Sequence, residues 1–149
     1  DRGKIVCEPN YRLPAAIHPT SSAAIYGRSL YEAEEDMNTL EQALVKQLTA
    51  IPNVLWWHRN IARHGFAING YFNHYPDIMI MTKSGKIILA ETKGEHLKND
   101  DSQEKIELGA AWRNAAGNQY RYYMVFQDEE NLPHGAVSMG QFLETVKAL

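Results

Sequence analysis

The chain has 149 residues, 44% of them hydrophobic, with three Trp, eight Tyr and a formal charge of −3 at neutral pH. That length suits one domain with a substantial core, and that composition excludes disorder. The negative balance excludes general attraction to a polyanion, so any nucleic acid must be met by a local basic patch, a bound cation or another domain.

In chain order, residues 1–28 hold Pro9, Pro14 and Pro19 together with Ser21-Ser22 and little periodicity, which predicts an irregular arm or linker. The chain starts at Asp1 rather than Met, and the expectation is a domain excised from a larger protein, with the folded unit over 29–149. Met37, Leu40, Leu44 and Leu48 recur at helical spacing, predicting a helix from Tyr31 to Thr49 that Pro52 stops. Glu41 falls within that apolar stripe, and Glu34 continues the line one turn earlier. A Glu at the stripe's edge with its head in solvent is an equally good reading.

Val54 to Asn60 reads as a strand. At its end His58, Arg59, Asn60, Arg63 and His64 form a basic, amide-bearing segment suited to gripping phosphates, or equally a solvated hairpin tip. Phe66 to Phe72 contains the hairpin signal Asn69-Gly70.

Tyr75-Pro76-Asp77 opens the most informative stretch. It continues as Ile-Met-Ile-Met-Thr, then Lys83-Ser84-Gly85, then Lys-Ile-Ile-Leu-Ala, and closes on Glu91-Thr92-Lys93. An apolar run, a turn signal and a second apolar run predict two adjacent strands. If Lys83-Ser84-Gly85 is a three-residue loop with Gly85 left-handed at its third position, Asp77 stands opposite Glu91 and Lys93 shares their face. A two-residue turn at Ser84-Gly85 puts Thr92 there instead. Paired residues have Cβ atoms about 5 Å apart, close enough for two carboxylates to share a hard divalent cation. For an arbitrary match of this kind, solvent-facing acids and an ordinary ion pair are the commoner outcome. Here Met79, Met81, Ile87 and Leu89 share the acids' face while Ile78, Ile80, Ile88 and Ala90 fill the other. Both faces must then be covered, which sets the acids beside buried surface.

Beyond Gly94, Asp101 with Glu104 reads as a capping box opening a helix to about Ala116. Its first turn carries Gln103 and Lys105. A cation there suggests an acid or phosphate partner, against the plainer reading of an exposed Lys. Trp112 reads as a core anchor rather than a base-stacking platform. Tyr120 to Gln127 is an aromatic strand whose Tyr120, Tyr122 and Tyr123 read as sheet packing. Ser138 with Gln141 caps a last helix presenting Phe142, Leu143, Val146 and Leu149. His74 is a candidate ligand or proton carrier, although a lone His near a strand start is usually neither. The order helix, three strands, helix, strand, helix predicts an α/β fold with a central mixed sheet and helices on both faces.

The sequence YPDIMIMTKSGKIILAETKG resembles the core of the PD-(D/E)xK nuclease superfamily. Its extension EHLKNDDSQEKIELGAAW is similar to the C-terminal nuclease domain of type III restriction endonucleases and related helicase-nuclease subunits. The resemblance runs from about Met37 to Phe126 and implies a restriction-endonuclease-like αβββαβ core. It implies a Mg²⁺-dependent endonuclease acting on DNA, with Mn²⁺ as substitute. Asp77 and Glu91 would hold the ion, joined by the Thr92 backbone carbonyl and by Glu41, and Lys93 would position the attacking water. Arg59, Asn60, Gln103 and Lys105 are the candidate substrate contacts. Helicase or ATPase domains of a parent protein and a second copy of the chain are the expected partners besides DNA. The rival reading, of a different class, is a nuclease-like module that docks or positions DNA without cutting it.

Other chemistries find no support. The six His and single Cys show no zinc-finger spacing, and there is no Walker A loop, Rossmann glycine fingerprint or serine-nucleophile elbow. Cys7 has no intrachain partner, which fits a reducing interior. With no signal-peptide core and no apolar run near eighteen residues long, a cytoplasmic protein without membrane contact is expected.

Overall fold

The structure, a computed structural model, describes residues 12–17, 26–69, 72–94 and 100–149. Among them Arg12 to Ile17 form neither helix nor strand, as expected of the arm, while Cys7, Pro9, Pro19 and Ser21-Ser22 lie outside the described residues.

The first helix starts later than its periodicity suggests. α1 spans Thr39–Leu48, and the Asn38 side chain accepts the backbone N–H of Glu41 at 2.9 Å. Asn is among the strongest N-caps, so the helix nucleates there and not at Tyr31. Residues 27–30 instead run beside the first strand, β1 (Val54–Arg59). A parallel bridge joins Ser29 to Trp57, and the Trp57 indole donates to the Gly27 carbonyl at 2.9 Å. That padding blunts a sheet edge which would otherwise be open.

A small ladder of β2 (Ile68–Asn69) with β3 (Asn73–His74) follows, where Asn69-Gly70 marks a hairpin; Gly70 lies outside the described residues. β4 (Ile78–Thr82) and β5 (Ile87–Lys93) are the two apolar runs. Their register pairs Ile78 with Ala90 and Met81 with Ile87, which carries Asp77 to the position facing Glu91. Lys83-Ser84-Gly85 is the three-residue loop that sets it: Thr82 N–H donates to Lys86 O at 2.9 Å and Gly85 N–H to Thr82 O at 3.0 Å. Gly85 has φ 89°, a conformation that costs glycine little and other residues more.

α2 (Asp100–Ala116) crosses over to β6 (Tyr120–Phe126), which lies parallel to β5; β7 (Val137–Ser138) adds a short parallel strand before α3 (Met139–Ala148). Asp101 is inside α2 rather than its cap, and its carboxylate pairs with Lys105 one turn on at 3.3 Å. The box at α3 is complete, Ser138 Oγ accepting from Gln141 N–H while Gln141 Oε1 accepts from Ser138 N–H.

The result is a mixed α/β fold around a five-stranded mixed sheet in the order β1-β4-β5-β6-β7. Ile78, Ile80, Ile88 and Ala90 pack against Leu44, Leu48, Phe142 and Val146 of α1 and α3. Met79 and Leu89, on the acids' face, pack against Leu108 and Trp112 of α2. Trp112 anchors that core edge-on to Phe66 and Tyr120, with ring centroids 5.6 and 5.5 Å apart. Each fully buried aliphatic side chain stabilises the fold by roughly 1.5–3 kcal/mol, so the two-sided apolar strands lock the register that faces the acids. No helix of the described residues is long and apolar enough to cross a membrane.

Candidate functional site

Asp77 sits just before β4, where its carbonyl accepts the Asn60 N–H at 2.8 Å and so extends the β1–β4 ladder. Its Oδ2 accepts both the backbone N–H of Thr92, at 2.9 Å, and the Thr92 hydroxyl, at 3.1 Å. Glu91 is buried at 5% exposure. Its Oε2 lies 3.6 Å from Lys93 Nζ and 3.9 Å from Lys105 Nζ, while its Oε1 is buried with no hydrogen-bond partner. Burial, then the neighbouring Asp77 carboxylate, pushes the Glu91 carboxyl well above its ordinary range against the pull of the two lysines.

Glu41 arrives from α1. It is buried at 3% exposure, and burial followed by Asp77 raises its carboxyl to about 6, opposed by Arg59. Together Asn38, Glu41, Asp77, Glu91, Thr92 and Lys93 line a cleft of about 490 Å³. Burial opposes charge on Lys105, but Glu91 and Asp101 outweigh it and raise the ammonium's pKa.

Several expected site residues sit elsewhere or are already engaged. Asn60 is 1% exposed; its amide donates to the carbonyls of Phe66 and Pro76 and accepts the Phe66 N–H, so it holds a loop and is not a substrate contact. Arg59 does not face solvent as a phosphate grip, because its guanidinium lies against Glu41 at 3.0 Å and Asp77 at 3.7 Å. The Gln103 amide reaches the His134 carbonyl at 3.5 Å, in the loop before β7, and is not among the residues lining the cleft. Glu34 is off the helix and fully buried, its Oε2 2.9 Å from His58 Nδ1, which places both in a structural pair between the 27–37 segment and β1. Arg63 and His64 are exposed, as a solvated tip would be. Thr92 reaches Asp77 through its N–H and hydroxyl.

One pair was not evident beforehand. His74 Nε2 lies 2.7 Å from the Tyr122 hydroxyl, both residues buried. Burial, with Lys105 adding, lowers the His74 imidazole to about 4, so it is neutral at physiological pH. Burial, then Glu91 and Asp77, pushes the Tyr122 phenol up, which places that hydroxyl within the field of the acids. The alternation of β6 was the available signal, since Tyr122 lies beside Leu89 on the face that carries Glu91.

Could these residues hold a divalent cation? Among the described residues no three His, Cys, Asp or Glu side chains stand together in a ligating arrangement. The donor chemistry nevertheless fits one ion: two hard carboxylate groups face each other, they repel, and one buried oxygen lacks a partner.

No protein-family model matches the chain, and no curated protein matches it. A solved structure, protein VC1899 from Vibrio cholerae, is similar over 74% of this chain at 18% identity, with a TM-score of 0.41. The chain spans 31% of that protein's length. A likeness of that size decides no function, and the site stands on its own geometry.

Proposed function

We propose that the domain hydrolyses DNA phosphodiester bonds with the help of Mg²⁺, as a nuclease module of a larger restriction or helicase-nuclease type of protein. The observation that carries this reading is Glu91: a buried carboxylate facing Asp77, flanked by Lys93 and Lys105, with one oxygen unpartnered. Such an arrangement is costly to bury as it stands and is relieved by a cation. Asp77 and Glu91 are the residues that would hold the ion. When bound, Mg²⁺ supplies charge stabilisation at the phosphate and acidifies a water. Lys93, 3.6 Å from the Glu91 carboxylate, orients the water or a phosphate oxygen. Lys105 offers a second ammonium on the same side of Glu91. With β2 and β3 set aside, the order α1, β1, β4, β5, α2, β6 supports the αβββαβ restriction-endonuclease-like core as part of the proposal.

Nicking of supercoiled plasmid in Mg²⁺ is the test. Asp77→Ala and Lys93→Ala are each expected to abolish nicking with the melting temperature nearly unchanged; loss of folding in step with activity would make the residues structural instead. The second reading is a nuclease-like module that docks in a larger complex or positions DNA without cutting it; the internal engagement of Arg59 and Asn60 takes two expected phosphate contacts from either reading. That module would neither nick plasmid nor bind Mn²⁺.

A further inference from the structure

The arginine that ends β1 is engaged in a way that hydrolysis itself does not require. Its side chain is 18% exposed; Nε stands 3.0 Å from Glu41 Oε2, off the line of a hydrogen bond, and Nη2 donates to Glu41 Oε1 at 3.4 Å. Nη2 also lies 3.7 Å from Asp77 Oδ1, and Nη1 donates to the carbonyls of Asn60 and Asp77 at 2.7 and 3.0 Å. The guanidinium therefore faces this carboxylate as a close ion pair with one long hydrogen bond, Arg59 Nε and Glu41 Oε2 making none. Glu41 is held from behind as well, since Asn38 Nδ2 donates to its Oε1 at 3.1 Å.

Charge then limits what the cleft accepts. Four carboxylates, Glu41, Asp77, Glu91 and Asp101, meet three cations, Arg59, Lys93 and Lys105, so the cluster carries a formal charge of −1. One divalent ion with one phosphodiester leaves it formally neutral. A second divalent ion would add two more positive charges against a fixed guanidinium in a poorly solvated place, where like charges are least screened.

We propose that Arg59 is the resident counter-ion of the Glu41 side of the cleft, withholding Glu41 from coordination and restricting the site to a single divalent ion at Asp77 and Glu91. The inference rests on the metal-site reading above. It makes Glu41 a positioning residue that steadies Arg59, and through it Asp77, in place of the ligand role expected of it.

Mn²⁺ titration of the protein, followed by electron paramagnetic resonance, tests it without reference to cleavage. The wild type is expected to bind one Mn²⁺, Glu91→Gln none and Glu41→Gln one. Arg59→Met is expected to gain a second, showing the dipolar broadening of a pair about 4 Å apart, which Glu41→Gln added to it removes. Two ions in the wild type, loss of the ion in Glu41→Gln, or a single ion in folded Arg59→Met would each overturn the proposal. Should Arg59→Met not fold, Glu41→Gln decides: one ion retained supports the counter-ion role and none overturns it. A wild type that binds no Mn²⁺ at all defeats the metal-site reading itself, and the inference with it.

Discussion

His74 and Glu41 titrate in opposite senses across nearly the same window. The imidazole falls from its ordinary 6.5 to about 4 in the fold, so the unfolded chain takes up a proton first and stability is lost as pH drops through that interval. Glu41 rises from 4.5 to about 6, so the folded state keeps a proton the unfolded chain has released, and stability is gained as pH drops from about 6 to 4.5. Melting curves at about pH 7 and about pH 5 separate the two. Compared with wild type, His74→Gln is expected to lose less on acidification and Glu41→Gln to lose more; the reverse order would contradict both assignments. At this scale Asp77, Glu91 and Lys93 were legible because a loop length and a two-residue period dictate which side chains meet. Arg59 and Asn60 were not, since a side chain with several donors takes whichever acceptors the tertiary fold supplies, and those lay in α1, in the loop around Phe66 and before β4.

Among the elements, α2 carries a glycine in its interior at a place where the reason is visible. A Cβ on Gly109 would stand 2.2 Å from the Tyr122 ring. Alanine would contribute about 1 kcal/mol in helix propensity, but overpacking a ring held on the sheet costs roughly 1–3 kcal/mol. Gly109→Ala is therefore expected to be net destabilising in urea unfolding and to loosen the bond from Tyr122 to His74; a more stable variant would show that the ring is free to move. The strands and α3 were readable because apolar alternation and a complete capping box act locally. The start of α1 was not, because Met37 and Leu40 keep a helical period across a boundary that Asn38 sets by capping. The opening of α2 was misassigned to Asp101 for a similar reason, as an acid in a helix's first turn and an acid at its cap look alike in one dimension.

For the molecule as a whole, helices on both sheet faces followed from strands apolar on both sides, and the sheet's mixed character matched expectation. The pairing of residues 27–30 with the β1 edge had no local pattern to announce it; it depends on long-range main-chain bonds such as Leu30 N–H to Trp57 O at 2.9 Å. Since the carboxylates repel one another only once the fold assembles them, an ion bound there stabilises the native state alone. Mn²⁺ at a hundredfold excess over its Kd is expected to add about 2.7 kcal/mol, seen as a rise in Tm of about 5–10 °C. Glu91→Gln should abolish the rise, and an equal rise in that variant would place the ion elsewhere.

The two donors of Thr92 have a chemical consequence for Asp77. They claim Oδ2 entirely, leaving Oδ1 as the oxygen turned toward Arg59 and the cleft. An asparagine there is consequently no quiet isostere: its carbonyl must satisfy Thr92, which swings an NH₂ toward a guanidinium that has nothing to give it but another proton. Polarity at that one atom is inverted while shape is kept, and the threonine acts as a latch that chooses which half of the side chain the cleft sees.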